Sequence, residues 1–222
     1  MFAKLTTTAA LLAIASPAFA ATVIGDSNGA PDPGPPPGLT IVADFATPLA
    51  TGVTNSTTGS VVTVSGSLAG QYAQPAPLAP PNAYQAVQGG GSSTFDFSGY
   101  LNPGVTLGKF SFYWGSIDTY NTISFLRADN SVAASFTGAA FPPANGNQPA
   151  NVTNRRITFG FTHADAVTKV RMTSSQNAFE FDTLAVAGVP EPATWAMMIL
   201  GFGLVGGAMR SRKAATTKLA YA

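Results

Sequence analysis

The chain has 222 residues, only 9% of them charged, with 23 glycines, 17 prolines, 15 phenylalanines and no cysteine. The missing cysteines exclude disulfides, zinc–thiolate sites and Cys–His catalysis. Between Ala21 and Val189 six basic residues stand against nine acidic ones, a net charge of −3, so the body lacks the basic footprint of a nucleic-acid binder.

Residues 1–20 read as a secretory signal peptide. Lys4 supplies the positive start, Ala9 to Ala15 the apolar stretch, and Pro17 the helix break. Ala18-Phe19-Ala20 then forms a small-x-small cleavage triplet, which places the mature start at Ala21 and implies passage through an export translocon. Residues 21–38 read as a linker. The stretch GDSNGAPDPGPPPG excludes helix and central strand and predicts a semi-rigid polyproline spacer.

From Leu39 to Val189 the pattern is period two. LTIVADF (39–45) puts Ile41, Ala43 and Phe45 on one face, and VVTVSGSL (61–68) is a second strand. Residues 72–83 carry four prolines and read as a surface loop. STFDFS (93–98), KFSFYW (109–114), NTISFL (121–126), VAASF (132–136), RITFGFT (156–162), VTKVRMT (167–173) and FEFDTLAV (179–186) follow, separated by turn residues. Short alternating strands without an amphipathic helix predict an all-β fold, an antiparallel two-sheet sandwich or jelly roll, with a phenylalanine core. The last strand is expected near the first.

The C-terminal part has three pieces in fixed order. Pro190-Glu191-Pro192 is a stiff non-helical knuckle. Residues 192–209 carry no charge and, as a helix, span about 27 Å, close to a bilayer core. Trp195 suits the interface at one end, and the basic residues Arg210, Arg212 and Lys213 at the other mark a cytoplasmic side. Residues 214–222 read as a cytoplasmic tail.

This order closely resembles the PEP-CTERM sorting signal, in the variant where Trp195-Ala196 follows the Pro-Glu-Pro. The resemblance implies a Gram-negative exported protein held transiently in the inner membrane. An exosortase would cut near the Pro-Glu-Pro and release the rest to the cell surface or matrix. The tail AATTKLAYA is longer than that family leads one to expect.

In the body, FSFYWGSIDTYNTISF (110–125) resembles a group of exosortase-dependent surface proteins with a Trp-Gly-Ser-x-Asp-x-Tyr-Asn core. Asp118, Tyr120 and Asn121 beside Trp114 are candidate ligand-binding residues, since carboxylate and amide groups bond sugar hydroxyls and a ring stacks on a sugar face. The alternative is a structured turn in which Asp118 and Asn121 bond their own backbone, Gly115 supplies a special φ and Trp114 is core. Calcium is the one cofactor to weigh, with Asp118, Asp129, Asn130 and Asp182 as oxygen donors, but no D-x-D-x-D-G loop is present.

Catalytic sets are sparse. His163 is the lone histidine, and no G-x-S-x-G elbow occurs. Glu180 and Asp182 could mimic a glycosidase pair, but alternate acids on a strand commonly form a solvated face. The sequence therefore predicts an exported, non-catalytic surface or matrix protein associated with exopolysaccharide or biofilm. The alternative is a secreted carbohydrate-active enzyme on a sandwich scaffold.

Overall fold

A computed structural model describes residues 21–78, 82–149, 151–190 and 192–213. The signal peptide with Ala18 and Ala20, the knuckle residue Glu191 and the 214–222 tail lie outside the described residues.

Twelve strands and one α-helix run in chain order among the described residues: β1 (Thr22–Asp26), β2 (Thr40–Ala43), β3 (Thr54–Thr58), β4 (Val61–Val64), β5 (Tyr84–Val87), β6 (Ser92–Asp96), β7 (Val105–Gly115), β8 (Asn121–Arg127), β9 (Val132–Thr137), β10 (Arg155–Gly160), β11 (Val167–Ser174), β12 (Phe179–Pro190) and α1 (Pro192–Lys213). They build two antiparallel sheets. The seven-stranded sheet has the order β1-β10-β7-β12-β5-β4, with β2 also paired to β12. The five-stranded sheet has the order β3-β6-β11-β8-β9. The last strand thus pairs with the segment at residues 40–43, as expected.

The inner faces meet through aromatic rings. Phe125 of the smaller sheet lies 4.7 Å from Phe159 of the larger one, centroid to centroid. Trp114 stacks on Phe179 at 4.6 Å with 20° between the planes. Phe95, Phe97, Phe110, Phe112 and Phe181 complete a fully buried aromatic core.

The outer face of the larger sheet is covered too, and this corrects two expectations. The 21–38 segment is no free stalk. Its first residues form β1 on β10, and its proline-rich part is tied down where Arg156 meets Asp32 at 2.6 Å and Ala30 donates to the Asn151 carbonyl at 2.9 Å. Arg155 likewise meets Asp26 at 3.0 Å. Both arginines are buried, so the sheet requires anionic partners there, and the proline-rich stretch supplies them. Residues 66–78 form the rest of the cover. Tyr113 donates to the Ala76 carbonyl, and Ala76 N–H donates to Asn154 Oδ1 at 2.9 Å.

Smaller differences have local causes. Alternation in 39–45 stops early: Ile41 is exposed, whereas Val42 and Ala43 are buried. Phe45 turns at φ 57° and packs edge-on against Phe181. β12 runs on to Pro190, which lies opposite Val105, so the knuckle begins inside the last strand.

α1 covers the stretch 192–209 read as a membrane span. Among the described residues no helix is long and apolar enough to cross a membrane. A Cβ on Gly201, Gly203, Gly206 or Gly207 would meet nothing within 4 Å. The described side chains from Ala196 to Arg210 are all exposed, Phe202 at 72% and Leu204 at 66%.

Candidate functional site

A cleft of about 500 Å³ opens at one end of the larger sheet. Its lining includes Tyr72, Ser116, Asp118, Tyr120, Gln148 and Glu180. One wall is the covering loop that carries Tyr72. The other is the turn after β7, which carries Ser116, Asp118 and Tyr120. Glu180 forms the floor, projecting from β12 on the face opposite Phe179 and Phe181.

Glycine sets the close approaches around this turn. Gly115 has no special φ; Ser116 takes the positive value, 45°. Gly115 is needed because a Cβ there would stand 2.6 Å from Pro75 Cγ. Gly146, at φ 62°, abuts the Asp118 carboxylate, and a Cβ would stand 2.5 Å from both its oxygens.

Asp118 does not close an Asx-turn on its own backbone. Its Oδ2 accepts from Tyr120 Oη at 2.6 Å, and Tyr120 Oη also lies 2.8 Å from the Asn177 carbonyl. The turn is held by backbone: Asn121 N–H donates to the Asp118 carbonyl at 3.1 Å and Gly146 N–H to that of Ile117 at 3.0 Å. Burial raises the Asp118 carboxyl above the usual carboxylate range, only partly offset by the tyrosine hydroxyl.

Glu180 is the most perturbed group of the cleft. It is 2% exposed, and burial pushes its carboxyl up to about 8, against the opposing pull of the Ala73 N–H, which donates to Oε1 at 2.8 Å. The nearby Asp118 charge adds to the rise. Oε2 is buried with no hydrogen-bond partner, and so is Ser116 Oγ. Asp182 is buried as well, which holds its carboxyl at about 7, but it faces Asp32 and Arg156 away from the cleft. The expected solvated acidic face is therefore a buried one, because the segments at 22–36 and 66–78 cover it.

The structure divides the predicted residues. Asp118 and Tyr120 line the cleft. Trp114 is wholly buried against Phe179 and belongs to the core. Asn121 is also buried, its Oδ1 accepting from Ser174 Oγ at 2.9 Å. The weighed calcium donors do not converge. Asp129 caps Ser131 N–H at 2.9 Å, Asn130 accepts from Lys169 at 2.8 Å, and among the described residues no three acidic, histidine or cysteine side chains cluster. His163 sits beside Thr106, away from the cleft. Glu180 is the site residue that the strand reading undervalued.

Comparison with known proteins adds a sorting motif. Residues 188–213 match the family model of the PEP-CTERM protein-sorting motif, which implies an exported protein processed by an exosortase through a membrane-associated signal. A search among curated proteins finds no match. Two solved structures share distant likeness. One is the enzymatically active domain of tailspike protein 4 from bacteriophage CBA120, at 12% identity and TM-score 0.34, covering 63% of this chain. This chain spans only 20% of that tailspike's length. The other is the family 11 carbohydrate-binding module of the cellulosomal cellulase Lic26A-Cel5E of Clostridium thermocellum, at 14% identity and TM-score 0.25, covering 69% of this chain and 96% of the module.

Proposed function

We propose that this chain is an exported, non-catalytic cell-surface or matrix protein that an exosortase cleaves near Pro190-Glu191-Pro192. The body then associates with extracellular polysaccharide, as in a biofilm. The observation that carries the reading is position: the sorting motif begins at Gly188, inside the end of β12, so β1 to β11 and β12 up to Ala187 lie upstream of it as cargo. On this reading α1 associates with the inner membrane in the precursor, and its exposed methionines, leucines and phenylalanine support that seat. Its basic end with Arg210, Arg212 and Lys213 stays cytoplasmic. Intact mass of the protein recovered from the cell surface tests this. A form starting near Ala21 and lacking Met197 to Lys213 is expected, and a surface form retaining them sinks the reading. Replacing Pro190, Glu191 and Pro192 with alanine is expected to hold the precursor in the membrane.

One observation favours a second reading, a secreted carbohydrate-active enzyme: Asp118 and the raised Glu180 share one cleft. Release of reducing ends from a polysaccharide, lost in Glu180→Gln, would establish it over the non-catalytic reading.

A further inference from the structure

We propose that the cleft holds one uncharged, hydroxyl-rich sugar unit whose hydroxyls satisfy Glu180 Oε2 and Ser116 Oγ, while the glycan chain continues over Tyr120 into a neighbouring cleft. The inference deepens the polysaccharide reading and rests on it.

Three observations on the geometry converge. The first is the pair of buried, partnerless oxygens in a single cleft. Buried polar atoms are nearly always satisfied, so two partnerless oxygens on residues that line one cleft point to a ligand that completes both. A sugar hydroxyl both donates and accepts, and adjacent hydroxyls on one ring reach two protein groups at once.

The second is the charge of the lining. Asp118 and Glu180 line the cleft, and none of the residues lining it is basic. Tyr72 and Tyr120 also line it, and Tyr84 stands close enough to Glu180 for their charges to interact. A wall of carboxyl and phenol groups without a cation rejects uronic acids and sulfated or phosphorylated sugars. The tyrosines present apolar ring surface with a polar tip, which matches a sugar's mixed faces.

The third is continuity. Tyr120 also lines a second cleft of about 510 Å³, with Ser92, Thr122, Thr173 and Ser175 around it. Its lining carries hydroxyls and no ionisable side chain besides Tyr120. The two clefts share that tyrosine as a common wall, so a chain ligand crosses it and leaves further sugar units on the hydroxyl floor.

Protonation sets the working range. Below about 8 Glu180 carries a proton on a group whose Oε1 is already occupied by Ala73 N–H, so Oε2 donates to the sugar. Above that pH the donor is lost and a second negative charge stands beside Asp118.

The test uses the full chain in detergent micelles, titrated at pH 6 and pH 9.5 with dextran, glucomannan and a mixed-linkage β-glucan, and with polygalacturonate as the anionic probe. A neutral glycan is expected to bind at pH 6 and about tenfold more weakly at pH 9.5. Glu180→Leu and Ser116→Ala should each weaken binding about tenfold. Glu180→Gln, a near-isostere that keeps an acceptor for Ala73 and a donor for the sugar, should bind within about threefold of the parent and lose the pH dependence. Ser175→Trp, at an exposed position, should weaken a long chain and spare a trisaccharide. Matching thermal unfolding of Glu180→Gln and the parent at pH 5, near the ordinary carboxylate range, controls for folding. Neutral-glycan binding indifferent to Glu180→Leu and Ser116→Ala overturns this site and leaves the polysaccharide reading standing. Preference for polygalacturonate overturns the uncharged class. Failure of every glycan to bind the parent overturns the polysaccharide reading itself.

Discussion

Ala73 and Glu180 stand 107 residues apart in the chain, yet the Ala73 N–H donates to Glu180 Oε1 at 2.8 Å. This contact joins the cover of the larger sheet to its floor. It also explains how a carboxyl comes to be buried on the outer face of a β-sandwich: the strand offers the face, and a loop from elsewhere closes over it. The same loop reaches Tyr113 and Asn154 through Ala76. Cover and cleft are therefore one construction. What the loop leaves open, between Tyr72 and the turn at Ser116 to Tyr120, is the cleft.

Stability should fall as pH rises from about 4.5 to 8. Glu180 and Asp182 hold their protons in the fold to about 8 and about 7, whereas an unfolded chain releases them near the ordinary carboxylate values. Within that window the native state binds more protons than the unfolded one, so the free energy of unfolding decreases with pH. The lowered groups Asp44 and Asp129 act oppositely but only below their ordinary values, outside the window. Thermal unfolding at pH 5 and pH 8.5 should show a Tm higher at pH 5 by roughly 5 °C or more. Glu180→Gln should make the slope shallower and leave the share due to Asp182. A Tm that rises with pH across this range refutes burial of the two acids.

Asp32→Ala should destabilise the body by about 3 kcal/mol, because it leaves the buried Arg156 guanidinium without its carboxylate. Arg156 Nε and Nη2 each meet an Asp32 oxygen at 2.6 Å, and Nη1 donates to the Thr183 carbonyl at 3.1 Å. Urea denaturation measures the loss. The double variant Asp32→Ala with Arg156→Met should lose less than the two single variants summed, since no buried charge remains. An unchanged midpoint for Asp32→Ala would mean that the proline-rich segment is not anchored to the sheet in solution.

The alternating strands were legible because one face of each is polar and the other packs on the core. RITFGFT places Ile157 and Phe159 inward, and VTKVRMT does the same with Val170 and Met172. β5 escapes that logic. Tyr84 to Val87 is buried on both faces and only four residues long, so no alternation marks it. β3, TNSTT, fails for the opposite reason: an edge strand of hydroxyl and amide residues carries no apolar period. β1 sits directly before a proline cluster and takes its identity from pairing with β10. The cleft was half legible. Asp118 and Tyr120 stood out in a dense aromatic block, whereas Glu180 depends on a cover drawn from distant chain, which no local pattern encodes.

Gly146→Ala should cost more than Gly34→Ala, although both glycines have positive φ, 62° and 78°. A Cβ at position 34 meets nothing within 4 Å, so only backbone strain remains, about 1 kcal/mol. At position 146 it would lie 2.5 Å from both Asp118 carboxylate oxygens, and the acid must move off Tyr120. A loss of about 2–3 kcal/mol is expected in denaturant unfolding. Equal losses for the two variants would show that the Asp118 side chain is free to swing away.

Asp118→Ala separates a structural role from a direct contact with ligand. The side chain accepts one hydrogen bond, from Tyr120 Oη, while the turn itself is closed by the backbone bonds of Asn121 and Gly146. Tyr120 also retains the Asn177 carbonyl as a partner. The variant should therefore lose about 1 kcal/mol, lowering Tm by roughly 2–4 °C. Glycan retention should survive, because Glu180 and Ser116 carry the proposed contacts. The acid has one further effect. Its charge helps keep Glu180 protonated, so its removal should let Glu180 ionise at lower pH, and the pH midpoint for loss of binding should move down. Tyr120→Phe gives the complement: it removes both hydroxyl bonds and leaves the charge, so Tm should fall while the midpoint stays high. An Asp118→Ala protein with unchanged Tm and abolished binding at pH 6 would instead make Asp118 itself the group that holds the sugar.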